Sequence, residues 1–215
     1  YNLNPFSISY IDNMYNFGSA NFKINNGNIE FDGKFQPNKL LAANLNISNF
    51  NIETLNSFLI KKIPLSGVLF GKLNANSPND KINKNGEIEI KNGEFKQFSF
   101  ENLNSTFTLE NNQFYIEKFK IVSNKELKLD ASGYYNTILS SKNPFEPNIN
   151  SKMNISAYFN KFDLSSIAEL FPKWWSLEGI TTGSFVVNGR LNSSDINLSL
   201  NVINPKFSLL NGNQL

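Results

Sequence analysis

The chain has 215 residues, room for one large domain or two small ones, and its 20 Lys plus Arg against 18 Asp plus Glu leave a net charge of +2, far from the basic footprint of a nucleic-acid binder. It holds neither Cys nor His, which removes disulfides, thiolate and imidazole metal sites, cysteine nucleophiles and the commonest general base. Asn occurs 38 times and Phe 20 times in a chain that is only 40% hydrophobic, so its apolar residues are few, large and spaced.

The chain opens on Tyr1, shows no basic and then apolar leader, and nowhere runs to about 18 consecutive apolar residues. It is expected to be a soluble piece of a longer protein. Asn26-Gly27 is the first predicted turn, since Asn-Gly supplies the positive φ angles of tight hairpins. Ile52, Leu55, Phe58 and Leu59 share one helical face and predict a short amphipathic helix over 52–61. Gly67 and Gly71 fall in a strand, where close packing or bending explains them better than phosphate binding. Asn85-Gly86 and Asn92-Gly93 read as turns flanking a strand in which Ile88 and Ile90 alternate with Glu87, Glu89 and Lys91.

Leu103, Ser105, Phe107 and Leu109 alternate with Asn104, Thr106, Thr108 and Glu110, the pattern of a strand with one wet face. Asn111-Asn112 predicts the next turn. Along Phe114, Ile116, Phe119 and Ile121 the apolar phase slips by one at Glu117-Lys118, which marks a β-bulge. Leu127, Leu129 and Ala131 alternate with Lys128 and Asp130, and residues 140–148, rich in Ser, Asn and Pro, read as a loop. Leu164, Ile167, Leu170 and Phe171 predict a second helix over 163–171 with Asp163 as its N-cap, followed by Trp174-Trp175 as a cap over a sheet edge. Ile196, Leu198, Leu200 and Val202 alternate once more before Asn211-Gly212. One-sided alternation of this kind belongs to antiparallel sheets.

Phe50 to Leu73 reads F-x-I-x2-L-x2-FL-x7-G-x3-G-x-L and Phe162 to Phe185 reads F-x-L-x2-I-x2-LF-x7-G-x3-G-x-F, at a constant offset of 112. The chain therefore divides into the end of one repeat (1–49), one complete repeat (50–161) and the start of another (162–215). Tandem units of about 110 residues that share a sheet follow the nearest-neighbour logic of repeat proteins.

A helix, then Leu65, Gly67, Gly71 and Leu73, repeated as Leu177, Gly179, Gly183 and Phe185, together with Gly86, Gly93 and Gly133, resembles the AsmA-like and TamB family of bacterial envelope proteins. The resemblance implies a long, twisted, open antiparallel sheet forming a U-shaped β-groove. It also implies a function: phospholipid acyl chains carried between inner and outer membranes through the periplasm, without catalysis or cofactor. A full-length relative of this kind is inner-membrane anchored and contacts an outer-membrane partner, in some descriptions for outer-membrane protein assembly.

On that reading the lipid-facing wall is Leu69, Leu73, Ile88, Ile90, Phe98 and Phe100, then Leu103, Phe107, Leu109, Phe114 and Ile116, then Leu127, Leu129, Phe185, Val187, Leu198 and Leu200. Glu87 and Glu89 share the polar face and read as solvated, so no enzyme activity is expected. Two other classes fit alternation alone: a structural or adhesive β-repeat whose strands close into sandwiches and bind protein or glycan, and a membrane β-barrel. The two helices argue against the barrel.

Overall fold

The computed structural model describes residues 6–36, 39–56, 64–76, 83–95, 98–110, 113–136, 152–163, 175–190 and 195–209. Twelve strands follow in chain order: β1 (Ile8–Ile11), β2 (Met14–Ile24), β3 (Gly27–Gln36), β4 (Lys39–Asn51), β5 (Leu65–Asn76), β6 (Asn83–Phe95), β7 (Phe98–Glu110), β8 (Gln113–Ser123), β9 (Glu126–Asn136), β10 (Lys152–Asp163), β11 (Trp175–Arg190) and β12 (Asp195–Leu209). They form one sheet in sequence order, and each strand pairs antiparallel with the one before it. The alternation has produced the expected mainly β, open antiparallel fold. Among the described residues no second sheet faces it, and β1 and β12 are its edges.

Tight turns set the pairing. Asp12-Asn13 (φ 51° and 60°) joins β1 to β2, and Asn124-Lys125 (φ 52° and 60°) joins β8 to β9. Two consecutive positive φ angles give the turn whose twist suits a hairpin. Between β2 and β3 the turn is Asn25-Asn26, with Gly27 already opening β3.

Asn85-Gly86 and Asn92-Gly93 are not turns, contrary to the sequence reading; both lie inside β6. Their glycines serve packing. A Cβ on Gly86 would stand 2.5 Å from Phe107 Cζ and 2.6 Å from Leu73 Cδ2, and one on Gly93 would collide with the Phe100 ring. Each glycine leaves the space into which a neighbouring strand lays an aromatic ring.

The slip at Glu117-Lys118 is a bulge: the register of β8 against β9 shifts between Ile116 and Phe119, and against β7 between Thr106 and Phe107. Further shifts fall between Ile47 and Phe50 in β4 and between Phe159 and Phe162 in β10, where Asn49 (φ 51°) and Lys161 (φ 47°) take the left-handed conformation. An extra residue lets Phe50 and Phe162 keep the face of the apolar positions before them.

One short helix, α1 (Ile52–Asn56), is described. The Glu53 amide donates to Asn51 Oδ1 at 2.8 Å, so Asn51 is its N-cap. Ile52 is 3% exposed and packs with Ile90, Phe100 and Ile121. The rest of the first predicted helix, the second one after Asp163, Trp174, the 140–148 loop, Asn111-Asn112 and Asn211-Gly212 lie outside the described residues. Asp163 itself ends β10, as Asn51 ends β4.

Candidate functional site

Residues directly opposed in a ladder share a face, so the register assembles the site row by row. One row crosses the sheet as Phe50, Leu69, Ile90, Leu103, Ile121, Leu129 and Phe159, from β4 to β10. The next runs Ile47, Gly71, Ile88, Ser105, Phe119, Ala131, Ala157 and Phe185. A third runs Leu45, Leu73, Gly86, Phe107, Ile116, Gly133, Ile155 and Val187. A fourth places Leu109, Phe114, Tyr135 and Met153 side by side, with Lys84 next to Leu109. Separate strands thus build one continuous apolar surface.

That surface is concave. Phe98 on β7 and Phe162 on β10 have ring centroids 5.1 Å apart, although two strands lie between them. In a flat sheet three interstrand spacings would separate them by about 14 Å. The sheet therefore curls, and its curl encloses a cavity of about 240 Å³. Leu65, Phe95, Phe98, Phe100 and Leu103 of β5 to β7 and Phe119, Ile121, Leu129 and Phe162 of β8 to β10 line it. Every lining residue is apolar. Away from the cavity, Phe107, Phe114 and Tyr135 continue the surface as a run of rings with centroids 5.4 and 5.2 Å apart.

The opposite face is built from Asn and charge. Glu30 accepts from the side-chain amides of Asn21, Asn28 and Asn46 at 3.1–3.3 Å, and Glu89 from Asn102 at 3.0 Å. Lys72–Glu87 and Lys120–Asp130 pair across strands at 3.5 and 2.9 Å, and Lys91 stands 4.9 Å from the Phe70 ring centroid. A larger hollow of about 500 Å³ lies over Lys72, Glu87, Glu89 and Lys118, two charges of each sign, and Phe70, Ile47, Ile88 and several Asn, Ser and Thr residues complete its lining. Hydrogen bonds from Lys128 and Lys161 hold the Glu126 carboxyl below the usual range, whereas burial raises the Tyr135 phenol on the apolar face.

Of the seventeen wall positions expected from sequence, Leu69, Leu73, Ile88, Ile90, Leu103, Phe107, Leu109, Phe114, Ile116, Leu129, Phe185 and Val187 fall in these four rows, and Phe98 and Phe100 line the cavity. Leu198 and Leu200 are opposed to Phe185 and Gly183; their side chains are outside the described set. Leu127 is a correction. A shift between Ile121 and Val122 pairs it with Val122, in the row of Asn102 and Lys91 on the polar face. Its spacing from Leu129 conceals this, because a bulge reverses facing without changing residue types. The expected wall lacks Leu65, Phe95, Phe119, Ile121 and Phe162. The last of these opens the second copy of the sequence motif, and that signal could have found it.

Among the described residues no group of three acidic side chains is placed to hold a metal, and no helix is long and apolar enough to cross a membrane. Comparison with protein-family models, with curated proteins and with solved structures gives no match for this chain.

Proposed function

We propose that this chain is a segment of a lipid conduit, in which the curled apolar face shelters the acyl chains of phospholipids and lets them slide along it without chemistry. The observation that carries the reading is the apolar surface spanning β4 to β11, curled around a cavity lined from β5 to β10, with no second sheet opposite it among the described residues. Each CH₂ withdrawn from water contributes about 0.8 kcal/mol, so a long acyl chain gains several kcal/mol from such a surface. Apolar contact is non-directional, which suits movement along the groove better than a pocket of fixed polar contacts.

The AsmA-like and TamB resemblance extends the reading to a periplasmic bridge from an inner-membrane anchor toward an outer-membrane partner. Register supports the tandem arrangement: Val68↔Lys91 and Leu73↔Gly86 in β5–β6 recur as Ile180↔Ile203 and Phe185↔Leu198 in β11–β12, each 112 residues on. Gly67 (φ 120°) and Gly179 (φ 124°) hold the same spacing beside a register shift in each pair. A sandwich that binds protein or glycan would need a second sheet over the apolar rows.

Lipid extraction and mass spectrometry of the purified chain tests the proposal. Stoichiometric phospholipid or fatty acid is expected, reduced at least severalfold in Phe107→Glu and unchanged in Glu89→Gln, since a carboxylate on the apolar wall is costly to bury. Circular dichroism establishes that both variants fold. A folded Phe107→Glu protein with the parent's lipid content would contradict the reading.

A further inference from the structure

The ring contact that closes the curl belongs to a longer arch. Phe100 and Phe98 of β7 have ring centroids 6.4 Å apart, Phe98 and Phe162 5.1 Å, and Phe162 and Phe159 of β10 5.6 Å, so four rings run in series from β7 to β10 while β8 and β9 lie between those strands. Local features set both feet. Gly93 leaves the space in which the Phe100 ring lies. At the other foot the register shift between Phe159 and Phe162 turns Phe162 to the apolar face. Three contacts fix that bulge: Asn160 Nδ2 donates to the Leu127 carbonyl at 3.1 Å, the Lys161 amide donates to Thr182 Oγ1 at 3.0 Å, and the Lys161 ammonium stands 3.4 Å from Glu126 Oε1. Ile121 of β8 and Leu129 of β9 line the same cavity as Phe98, Phe100 and Phe162. The arch is thus a roof over one stretch of the groove, and the strands between its feet are the floor. The contacts among Phe107, Phe114 and Tyr135, by contrast, each join adjacent strands.

We infer that this roofed stretch is a seat for one acyl chain, gated by the Phe98–Phe162 contact and blind to the headgroup, an inference that rests on the conduit reading of the apolar face. Apolar cavities of about 150 Å³ hold one benzene-sized guest. At about 240 Å³ this one takes a stretch of a single chain, and two chains side by side exceed it. Its lining side chains are all apolar, so a phosphate or carboxylate finds no partner there and stays outside, where its charge keeps its water. A chain under the arch leaves by slipping lengthwise or when the two rings part. Release from the seat is therefore slower than from the unroofed rows on either side of it.

Parinaric acid, a single-chain fatty acid that fluoresces in apolar surroundings, loaded on the chain and chased with excess oleic acid in a stopped-flow instrument, reads the seat. Release in two phases is expected, the slow one accounting for one probe per chain. Phe98→Leu and Phe162→Leu should each quicken the slow phase about tenfold, the scale of one lost ring pair. The double variant should go little further, because the two rings act through one contact. Leu129→Phe, which fills the floor, should remove most of the slow phase, and Phe114→Leu, away from the arch, should leave its rate unchanged. Decanoic acid and decanoyl lysophosphatidylcholine should compete for the slow phase at similar concentrations. Circular dichroism confirms that each variant retains its sheet. Single-phase release from the parent, a slow phase indifferent to both ring variants, or a marked preference for one headgroup would overturn the seat and leave the conduit standing; a folded parent chain that binds no probe would overturn both.

Discussion

The two faces of this sheet are made by the same strands, one residue apart, and hold the structure in different ways. On the apolar face a few large side chains gather behind the curl: Phe100, Ile90, Ile121 and Ile52 of α1 are almost fully buried although, among the described residues, no second sheet covers them. On the polar face carboxylates collect Asn amides and Lys ammonium groups in exposed and half-buried pairs, and the abundance of Asn finds its use there. Burial on the first face is worth kilocalories per side chain, and exposed pairs on the second are worth a fraction of one. Among the described residues curvature and α1, rather than a facing sheet, close this cluster, and the polar face can stay wet.

The largest contrast is expected between Phe100→Ala and Glu89→Gln. Phe100 is 4% exposed and lies over Gly93 in the central cluster, so its truncation should cost about 3–5 kcal/mol in urea unfolding. Glu89→Gln should stay within about 0.5 kcal/mol, because Asn102 can still donate to the amide oxygen. Similar costs on both faces would remove the distinction.

Gly86→Ala comes next, with an expected loss of about 1–3 kcal/mol from the clash with Phe107 and Leu73. In a Phe107→Ala background the same change should cost markedly less, and a double-mutant cycle measures the coupling. Additive effects would mean that the ring does not occupy the glycine's space.

Thr181 sharpens the comparison from the other side. It is opposed to Phe162 and fully buried, and its hydroxyl has no hydrogen-bond partner; Leu69 holds the equivalent place 112 residues earlier, opposite Phe50. Thr181→Val should therefore stabilise the protein by about 1 kcal/mol, seen as a higher urea midpoint.

Tyr135 gives the smallest effect and a signed one. Burial raises its phenol pKa above the ordinary 10.0, so the folded state keeps a proton that the unfolded chain releases. Its contribution is complete below pH 10 and disappears as pH rises through the folded value. Tyrosinate absorbance should show a late-titrating group that Tyr135→Phe removes.

Period-two alternation carried the sheet, its antiparallel sense and the Glu117-Lys118 bulge, because facing in a strand is written into each residue in turn. Curvature was not legible in that way. Phe98 and Phe162 meet across two intervening strands, and no local pattern encodes a contact between residues 64 positions apart. Asn92 does take a positive φ (48°), as an Asn-Gly pair suggests, yet the chain continues as strand because Phe100 packs on Gly93. Tertiary packing there decides between turn and bulge. Leu127 was misplaced for a related reason: one unpaired residue reverses a face that composition alone cannot mark.

Photolabelling with a diazirine-bearing fatty acid, mapped residue by residue by mass spectrometry, tests the central claim most directly. Label is predicted on Leu69, Ile90, Leu103, Phe107 and Leu129 along the curled face, and not on Phe70, Asn104 or Tyr134 of the face behind it. Equal labelling of the two faces, or none on the apolar rows of a folded chain, would contradict the account.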